Sequence, residues 1–184
     1  MLASKEPWNA GSSKRSKDPR VHARILSRHP RTHAGLLYRG ATAVLVGWRN
    51  STIDVDLKFE PHSDELFRSL PKRKEQLQIN VELASPDDFI PQLPGWEERS
   101  KFIETLGKVS FYHYDFYSQA IAKIERGHDH DLKDVEAMIA KGLVDRPKLL
   151  ELFLQIEPQL YRYPAVDPKT LASSVHRYTS GEKE

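Results

Sequence analysis

The sequence predicts an α+β protein in which a mixed β-sheet with flanking helices is followed by a helical C-terminal segment. Three observations indicate this class. Residues 53–60 alternate between apolar and polar side chains, as a half-buried strand does. Residues 101–114 divide at Leu106-Gly107 into two segments typical of a hairpin. Beyond Asp115, apolar residues recur at helical spacing, and glycine or proline marks the helix ends.

The first half of the chain predicts short strands separated by helices. An apolar run at 34–38 is consistent with a buried strand, and Gly47 ends the short helix that follows it. A second alternating strand carries Asn80 and Glu82 on its polar face. In chain order, the elements expected here are a helix at 20–29, a strand at 34–38, a helix at 41–46, a strand at 51–60, a helix at 64–70 and a strand at 78–83.

The second half predicts a loop, a hairpin and then helices. Three prolines make residues 85–95 a loop. Asp145 before Pro147 is a typical helix start, and Gly127 and Gly142 are typical helix ends. The elements expected here are strands at 101–105 and 108–114, and helices at about 116–126, 131–141, 146–160 and after Pro168.

We expect three parts along the chain. Residues 1–18 are rich in serine and charge and poor in apolar residues, so they predict a disordered basic tail. Residues 19–115 predict the α/β core, and residues 116–184 predict a helical segment packed on it. Residues 1–33 carry eight basic and two acidic side chains, a charge of +6 in a chain whose net charge is +2. Such an arm either attracts nucleic acid by counterion release or is a solvated tail.

The composition excludes several classes of protein and site. The chain has no cysteine, which excludes disulfides and thiolate metal sites. It contains no apolar run of about 18 residues that would predict a membrane helix. Its first residues lack the apolar stretch of a signal peptide. We therefore expect a cytoplasmic protein with no membrane partner.

The strongest chemical signal is the carboxylate pair Asp54 and Asp56 on the alternating strand. Side chains two residues apart on a strand point to the same face, so these carboxylates repel each other unless a cation lies between them. Carboxylate oxygens are the hard ligands that Mg²⁺ and Mn²⁺ prefer. The competing interpretation is an ordinary solvent-facing strand.

Polar residues upstream of the pair favour a phosphate-binding function. Gly40 allows the backbone to approach a ligand closely. Arg49, Ser51 and Thr52 add hydrogen-bond donors directly before the carboxylates. The order is a strand, a glycine turn, a helix, a polar turn and a strand with paired acids.

This order resembles the nucleotidyltransferase superfamily that includes DNA polymerase beta and the minimal nucleotidyltransferases. The matching segments are Leu37-Tyr38-Arg39-Gly40 and Asp54-Val55-Asp56. Other segments resemble a bacterial branch of uncharacterised proteins related to the nucleotidyltransferases of toxin–antitoxin and abortive-infection systems. These segments are residues 48–52, 80–86, 93–96, 122–126 and 131–134, and the resemblance spans about residues 20–160.

The resemblance implies roles for two further residues. The superfamily has a third carboxylate on a neighbouring strand, which Glu82 fits best; Asp87 and Asp88 in the following loop are alternatives. In similar proteins a lysine on a later helix reaches the triphosphate, and Lys123 fits this position. The competing interpretation of Lys123 is an exposed lysine beside an apolar stripe.

Two other features have specific interpretations. Arg39 stands where the superfamily usually has a glycine, so its side chain either clamps a phosphate or blocks the path of the triphosphate. Asp131 and Asp134 lie at a predicted helix start, where carboxylates favour the helix dipole, so we interpret them first as caps.

The resemblance implies an enzyme that uses Mg²⁺ or Mn²⁺ to transfer a nucleoside monophosphate from a nucleoside triphosphate to a hydroxyl on a protein or RNA. Its expected partners are that acceptor and a cognate toxin or antitoxin protein. The alternatives are a catalytically inactive, antitoxin-like protein of the same fold and a nucleic-acid binder that uses the basic arm. The metal ligands implied are Asp54, Asp56 and Glu82, and the phosphate contacts implied are Arg39, Gly40, Arg49, Ser51, Thr52 and Lys123.

Overall fold

The computed structural model describes residues 33–52, 54–62, 68 and 80–181. In these ranges a mixed sheet of five strands has the order β3-β2-β1-β5-β4. β1 pairs antiparallel with β2 and parallel with β5, β2 pairs parallel with β3, and β4 pairs antiparallel with β5. The strands are β1 (His33–Tyr38), β2 (Asp54–Glu60), β3 (Asn80–Glu82), β4 (Lys101–Leu106) and β5 (Val109–His113).

In the described ranges, helices lie between the strands of the sheet and follow its last strand. The described α-helices are α1 (Gly40–Val46), α2 (Trp96–Arg99), α3 (Phe116–Arg126), α4 (Asp129–Ala140), α5 (Arg146–Ile156) and α6 (Pro168–Ser180). Two 3₁₀ turns lie at Pro86–Asp88 and Glu157–Arg162. These elements confirm the α+β class and the helical C-terminal segment.

The largest hydrophobic cluster joins the sheet to the C-terminal helices. Tyr38 at the end of β1 is fully buried, and it belongs to the same cluster as Ile121 of α3, Phe153 of α5 and Val175 of α6. A smaller cluster joins β1, α1, β2 and β3 and includes Leu57. Burial of apolar area therefore fixes the helices against the strand end where Asp54 and Asp56 begin β2.

The element boundaries differ from the sequence predictions in a few places. The helix expected to continue to residue 160 ends at Ile156 and becomes a 3₁₀ turn, because Pro158 has no amide hydrogen to continue α-helical bonding. The proline-rich loop contains a 3₁₀ turn that a Ser85–Asp88 capping box starts. β2 begins at Asp54, whereas the expected strand began at residue 51.

Three expectations fall on residues outside the described ranges: the basic tail at 1–18, the helix at 20–29 and most of the helix at 64–70. Within the described ranges, no helix has the length and apolar character needed to cross a membrane.

Candidate metal and phosphate site

The site begins where β2 and β3 run side by side. Their parallel register places Asp54 opposite Asn80 and Asp56 opposite Glu82. The Asn80 side-chain amide donates to Asp54 Oδ1 at 3.2 Å and to Glu82 Oε1 at 3.1 Å. The three carboxylates implied by the resemblance therefore lie together at one end of the sheet.

Asp56 is the buried member of this group, whereas Asp54 and Glu82 are exposed. Burial raises the pKa of Asp56, and the charges of Glu82 and Asp54 add to the rise. Arg39 opposes the rise, because its Nη1 lies 3.1 Å from Asp56 Oδ1. A buried carboxylate among like charges has a strong need for a cation, and Arg39 supplies one in this structure.

Arg39 reaches Asp56 because the β1–β2 register places Tyr38 directly opposite Asp56. Its guanidinium carbon lies 4.9 Å from the centre of the Tyr38 ring and 5.0 Å from that of the Phe89 ring, which is cation–π distance. The Arg39 backbone amide donates to Gln119 Oε1 at 3.3 Å.

Gly40 packs closely against the start of β2. A Cβ atom at this position would lie 2.3 Å from Thr52 Oγ1 and 3.0 Å from the Asp54 carbonyl oxygen. The Thr52 hydroxyl donates to that same carbonyl oxygen at 2.9 Å. Only glycine fits at position 40, because a side chain there would clash with Thr52 and Asp54. This close packing brings the glycine turn beside the carboxylates.

Lys123 is buried, with a side chain only 1% exposed, so the interpretation as an exposed lysine is wrong. Its Nζ donates to Asp131 Oδ1 at 2.8 Å and to Asp134 Oδ2 at 2.7 Å. Burial acts to raise the pKa of Asp131, but the hydrogen bond and charge of Lys123, together with the charge of Arg126, lower it below its usual value. Asp131 and Asp134 are therefore buried ion-pair partners, and their interpretation as caps is wrong. The cap position of α4 is His128, and of the two carboxylates only Asp131 lies in the first turn.

Asp134 also holds the polar turn that precedes β2. Arg49 makes a bidentate contact, with Nε 2.9 Å from Oδ1 and Nη2 2.7 Å from Oδ2. Trp48 Nε1 donates to the same Oδ1 at 3.0 Å. One carboxylate thus fixes Arg49 and Lys123 together, although they come from opposite halves of the chain.

These groups enclose a cavity of about 120 Å³. Its lining residues are Arg39, Gly40, Arg49, Thr52, Asp54, Asp56, Glu82, Lys123, Arg126, His130 and Asp131. Asp54, Asp56 and Glu82 form the acidic wall, and Arg49, Lys123 and Arg126 form the cationic wall. Eight of the nine residues that the sequence implied line the cavity, and the ninth, Ser51, is exposed before β2.

The alternatives to Glu82 have other contacts. Asp87 binds Lys58 Nζ at 2.6 Å, and Asp88 accepts from the Ser85 amide at 2.7 Å in the capping box. Neither lines the cavity.

Three lining residues were absent from the sequence-based site: Arg126, His130 and Asp131. Arg126 Nε lies 3.4 Å from Asp131 Oδ2, and His130 Nε2 lies 3.6 Å from the same oxygen. The spacing of Lys123 and Arg126, three residues apart on one helix, was a signal that both reach the same side.

The donor set suits a divalent cation chemically, since it consists of carboxylate oxygens. With the side chains as they stand, no three His, Asp or Glu residues in the described ranges are arranged to hold a metal ion. In this arrangement Asn80 bridges Asp54 and Glu82, and Arg39 is paired with Asp56.

Comparison with family models matches residues 24–178 to a family described as "Nucleotidyltransferase of unknown function (DUF6036)". Searches of curated proteins and of solved structures found no match.

Proposed function

Because the chain belongs to this family of nucleotidyltransferases of unknown function, we propose that it transfers a nucleoside monophosphate from a nucleoside triphosphate to a hydroxyl on a protein or RNA. The single observation that carries the proposal is the cavity in which the acidic wall of β2 and β3 faces the cationic wall of the polar turn and α3. A metal–triphosphate complex has the matching charges, since its metal suits the acidic wall and its phosphates suit the cationic wall.

Asp54, Asp56 and Glu82 would hold Mg²⁺ or Mn²⁺, which would neutralise charge on the phosphates and polarise the acceptor hydroxyl. The acceptor oxygen would attack the α-phosphorus, and the bond from that phosphorus to the bridging oxygen of the β-phosphate would break. Glu82 is the exposed carboxylate next to Asp56, so it is suited to take the proton from the acceptor. Pyrophosphate would leave towards the cationic wall.

The cationic wall is preorganised for this task. Lys123 and Arg49 are held by Asp131 and Asp134 before any ligand arrives, so little side-chain entropy is lost when phosphates bind. Thr52 lines the cavity, and its hydroxyl would contact a phosphate by giving up its hydrogen bond to the Asp54 carbonyl oxygen. Ser51 directly before it is exposed and would supply a second hydroxyl. A cytoplasmic location, where nucleoside triphosphates are available, would suit such an activity. The proposal that a cognate toxin or antitoxin protein is the acceptor or a partner rests on the resemblance alone.

A second candidate function is a catalytically inactive protein that keeps the fold and binds a partner chain. The Arg39–Asp56 ion pair favours it, because this pair fills a metal ligand's place with a protein cation.

Thermal melting tests metal and nucleotide binding together. Mn²⁺ with each of the four nucleoside triphosphates is added to the wild type and to the double variant Asp54→Asn, Asp56→Asn. We expect a rise in Tm for the wild type with at least one nucleotide, since a ligand that binds the folded state stabilises it. The double variant should show no rise. An equal rise in both proteins would exclude these carboxylates as metal ligands.

Transfer is tested separately with triphosphates labelled at the α-phosphate, incubated with the chain, Mg²⁺ and cellular protein or RNA. Label on a macromolecule that depends on Asp54 and Asp56 supports the enzyme. Binding without transfer to any acceptor favours the inactive protein.

A further inference from the structure

Arg39 is the cavity cation whose guanidinium contacts the acidic wall, whereas the other cations contact carboxylates of α4. Arg49, Lys123 and Arg126 contact Asp131 or Asp134 on the helical side. The Arg39 guanidinium instead contacts Asp56 on the acidic wall, at 3.1 Å. A divalent cation and Arg39 therefore compete for the same carboxylate.

The backbone conformation of Arg39 is unfavourable for a residue with a side chain, which indicates that the arginine side chain makes a compensating contribution. Its φ is +56° and its ψ is −120°, and among the described residues every other positive φ belongs to glycine. Such a conformation disfavours a side chain by about 1–3 kcal/mol. A glycine would adopt it without that penalty, so the penalty persists only because something about the arginine offsets it.

The Nε donor of the guanidinium is buried without a well-formed hydrogen bond, whereas Nη1 is bound to Asp56. The Tyr38 hydroxyl, which interacts with the Arg39 charge, is likewise buried without a well-formed hydrogen bond. An unpartnered buried donor is unfavourable, and a phosphate oxygen is a group that would satisfy it. The guanidinium lies over the rings of both Tyr38 and Phe89, and Arg39 lines the cavity.

We propose that Arg39 couples metal binding to triphosphate binding, so that the site accepts the metal–triphosphate complex and disfavours the free metal. This inference rests on the proposed function. A metal that arrives alone must take Asp56 from Arg39 and leave the guanidinium without a counter-charge. When a triphosphate arrives with the metal, its oxygens receive the released guanidinium. Arg39 is thus a specificity-determining residue of the site, and the two ligands show positive coupling.

The test is one substitution with two effects of opposite sign. Arg39→Gly suits the backbone conformation and removes the competing charge. Calorimetry measures the affinity for Mn²⁺ alone, and then the affinity for inorganic tripolyphosphate at saturating Mn²⁺. Tripolyphosphate carries no base and no transferable nucleoside, so the result depends on neither nucleotide identity nor turnover. We expect Arg39→Gly to bind Mn²⁺ alone at least about tenfold more tightly and tripolyphosphate about tenfold more weakly.

Arg126→Gln is the matched control, because Arg126 lines the same cavity but contacts Asp131 instead of Asp56. It should weaken tripolyphosphate binding without tightening Mn²⁺ binding. Melting curves of both variants check that each is folded.

Three results would overturn the coupling while leaving the proposed function intact. Equal Mn²⁺ affinity of wild type and Arg39→Gly would show that the guanidinium does not compete with the metal. Tighter binding of both Mn²⁺ and tripolyphosphate by Arg39→Gly would show that the Arg39 side chain only obstructs the cavity. If Arg126→Gln tightened Mn²⁺ binding as much as Arg39→Gly does, the tightening would come from the loss of any positive charge near the cavity and would not be specific to Arg39. A wild type that binds neither Mn²⁺ nor the Mn²⁺–tripolyphosphate complex would instead reject the proposed function and the coupling with it.

Discussion

At the residue scale, the Lys123 side chain holds two buried carboxylates of the neighbouring helix in place. It lies within the core near Ile121 and Ile124, yet it carries a charge that Asp131 and Asp134 balance. A buried charge without its partner is strongly unfavourable, so these three residues depend on one another.

We predict that Lys123→Met lowers the free energy of unfolding by about 3–5 kcal/mol, because two buried carboxylates lose their shared cation. Methionine keeps the length of the side chain, which limits the loss of packing. Urea denaturation measures the change. Lys133→Met on exposed α4 surface is the matched control, and a comparable loss there would refute the importance of the buried pair.

The same network predicts a pH dependence. The pKa of Asp131 is lowered in the folded protein, so its ionisation stabilises the fold above the unfolded pKa of about 3.9. That contribution is lost as the pH falls from there through the folded pKa. The melting temperature of the wild type should therefore fall more steeply below about pH 4 than that of Asp131→Asn. Parallel pH profiles of the two proteins would contradict this assignment.

At the scale of elements, the start of α3 determines where Lys123 lies. Asp115 is fully buried and accepts hydrogen bonds from the backbone amides of Tyr117 and Ser118. It also makes a bidentate contact with Arg99, at 3.0 and 2.9 Å. One residue therefore caps the helix and ties it to α2.

We predict that Asp115→Ala destabilises the protein by about 3–5 kcal/mol, since it removes a cap and leaves Arg99 without its carboxylate. Asp167 caps α6 in the same way through the Thr170 amide but is exposed. Asp167→Ala should therefore produce a clearly smaller loss. Chemical denaturation of both variants compares the caps, and equal losses would argue against the role of the Arg99 pair.

Local periodicity made the Asp54 and Asp56 pair predictable, whereas the choice of Glu82 as the third carboxylate rested on the resemblance and its place beside the pair depends on β2–β3 pairing. The alternation in β2 places Asp54 and Asp56 on one face, and the alternation around Val81 places Glu82 on the polar face of β3. The helix ends at Gly47 and Gly127 were predictable for the same reason, since a left-handed conformation there favours glycine.

The contacts of the cations were not predictable in this way. Lys123 pairs with Asp131 and Asp134 on the next helix, and Arg49 reaches Asp134 across 85 residues of sequence. Arg39 meets Asp56 only because the strand register places Tyr38 opposite it. Such pairs depend on how elements pack, which periodicity within one element does not contain.

At the scale of the whole molecule, the two walls of the cavity come from different parts of the chain. The acidic wall belongs to the sheet, and Lys123, Arg126 and Asp131 belong to the C-terminal helices. One hydrophobic cluster contains Tyr38 of β1, Ile90 and buried residues of α3 to α6. The packing that stabilises the fold therefore also sets the distance between the acidic and cationic walls.

We predict that Leu171→Ala in α6 costs about 2–5 kcal/mol, the range for a buried leucine, although α6 does not line the cavity. The loss should appear in a single transition followed by both circular dichroism and tryptophan fluorescence, because sheet and helices share their core. Two separated transitions would show that the helical segment unfolds independently of the sheet.

The backbone of residue 39 also has an evolutionary consequence. Its positive φ is already the conformation that glycine favours, so replacing the arginine requires no rearrangement of the surrounding chain. Every arginine codon differs from a glycine codon by a single base. A lineage of this protein could therefore lose or regain the guanidinium in one mutational step. Selection of randomly mutated genes for tighter metal binding should recover this replacement early.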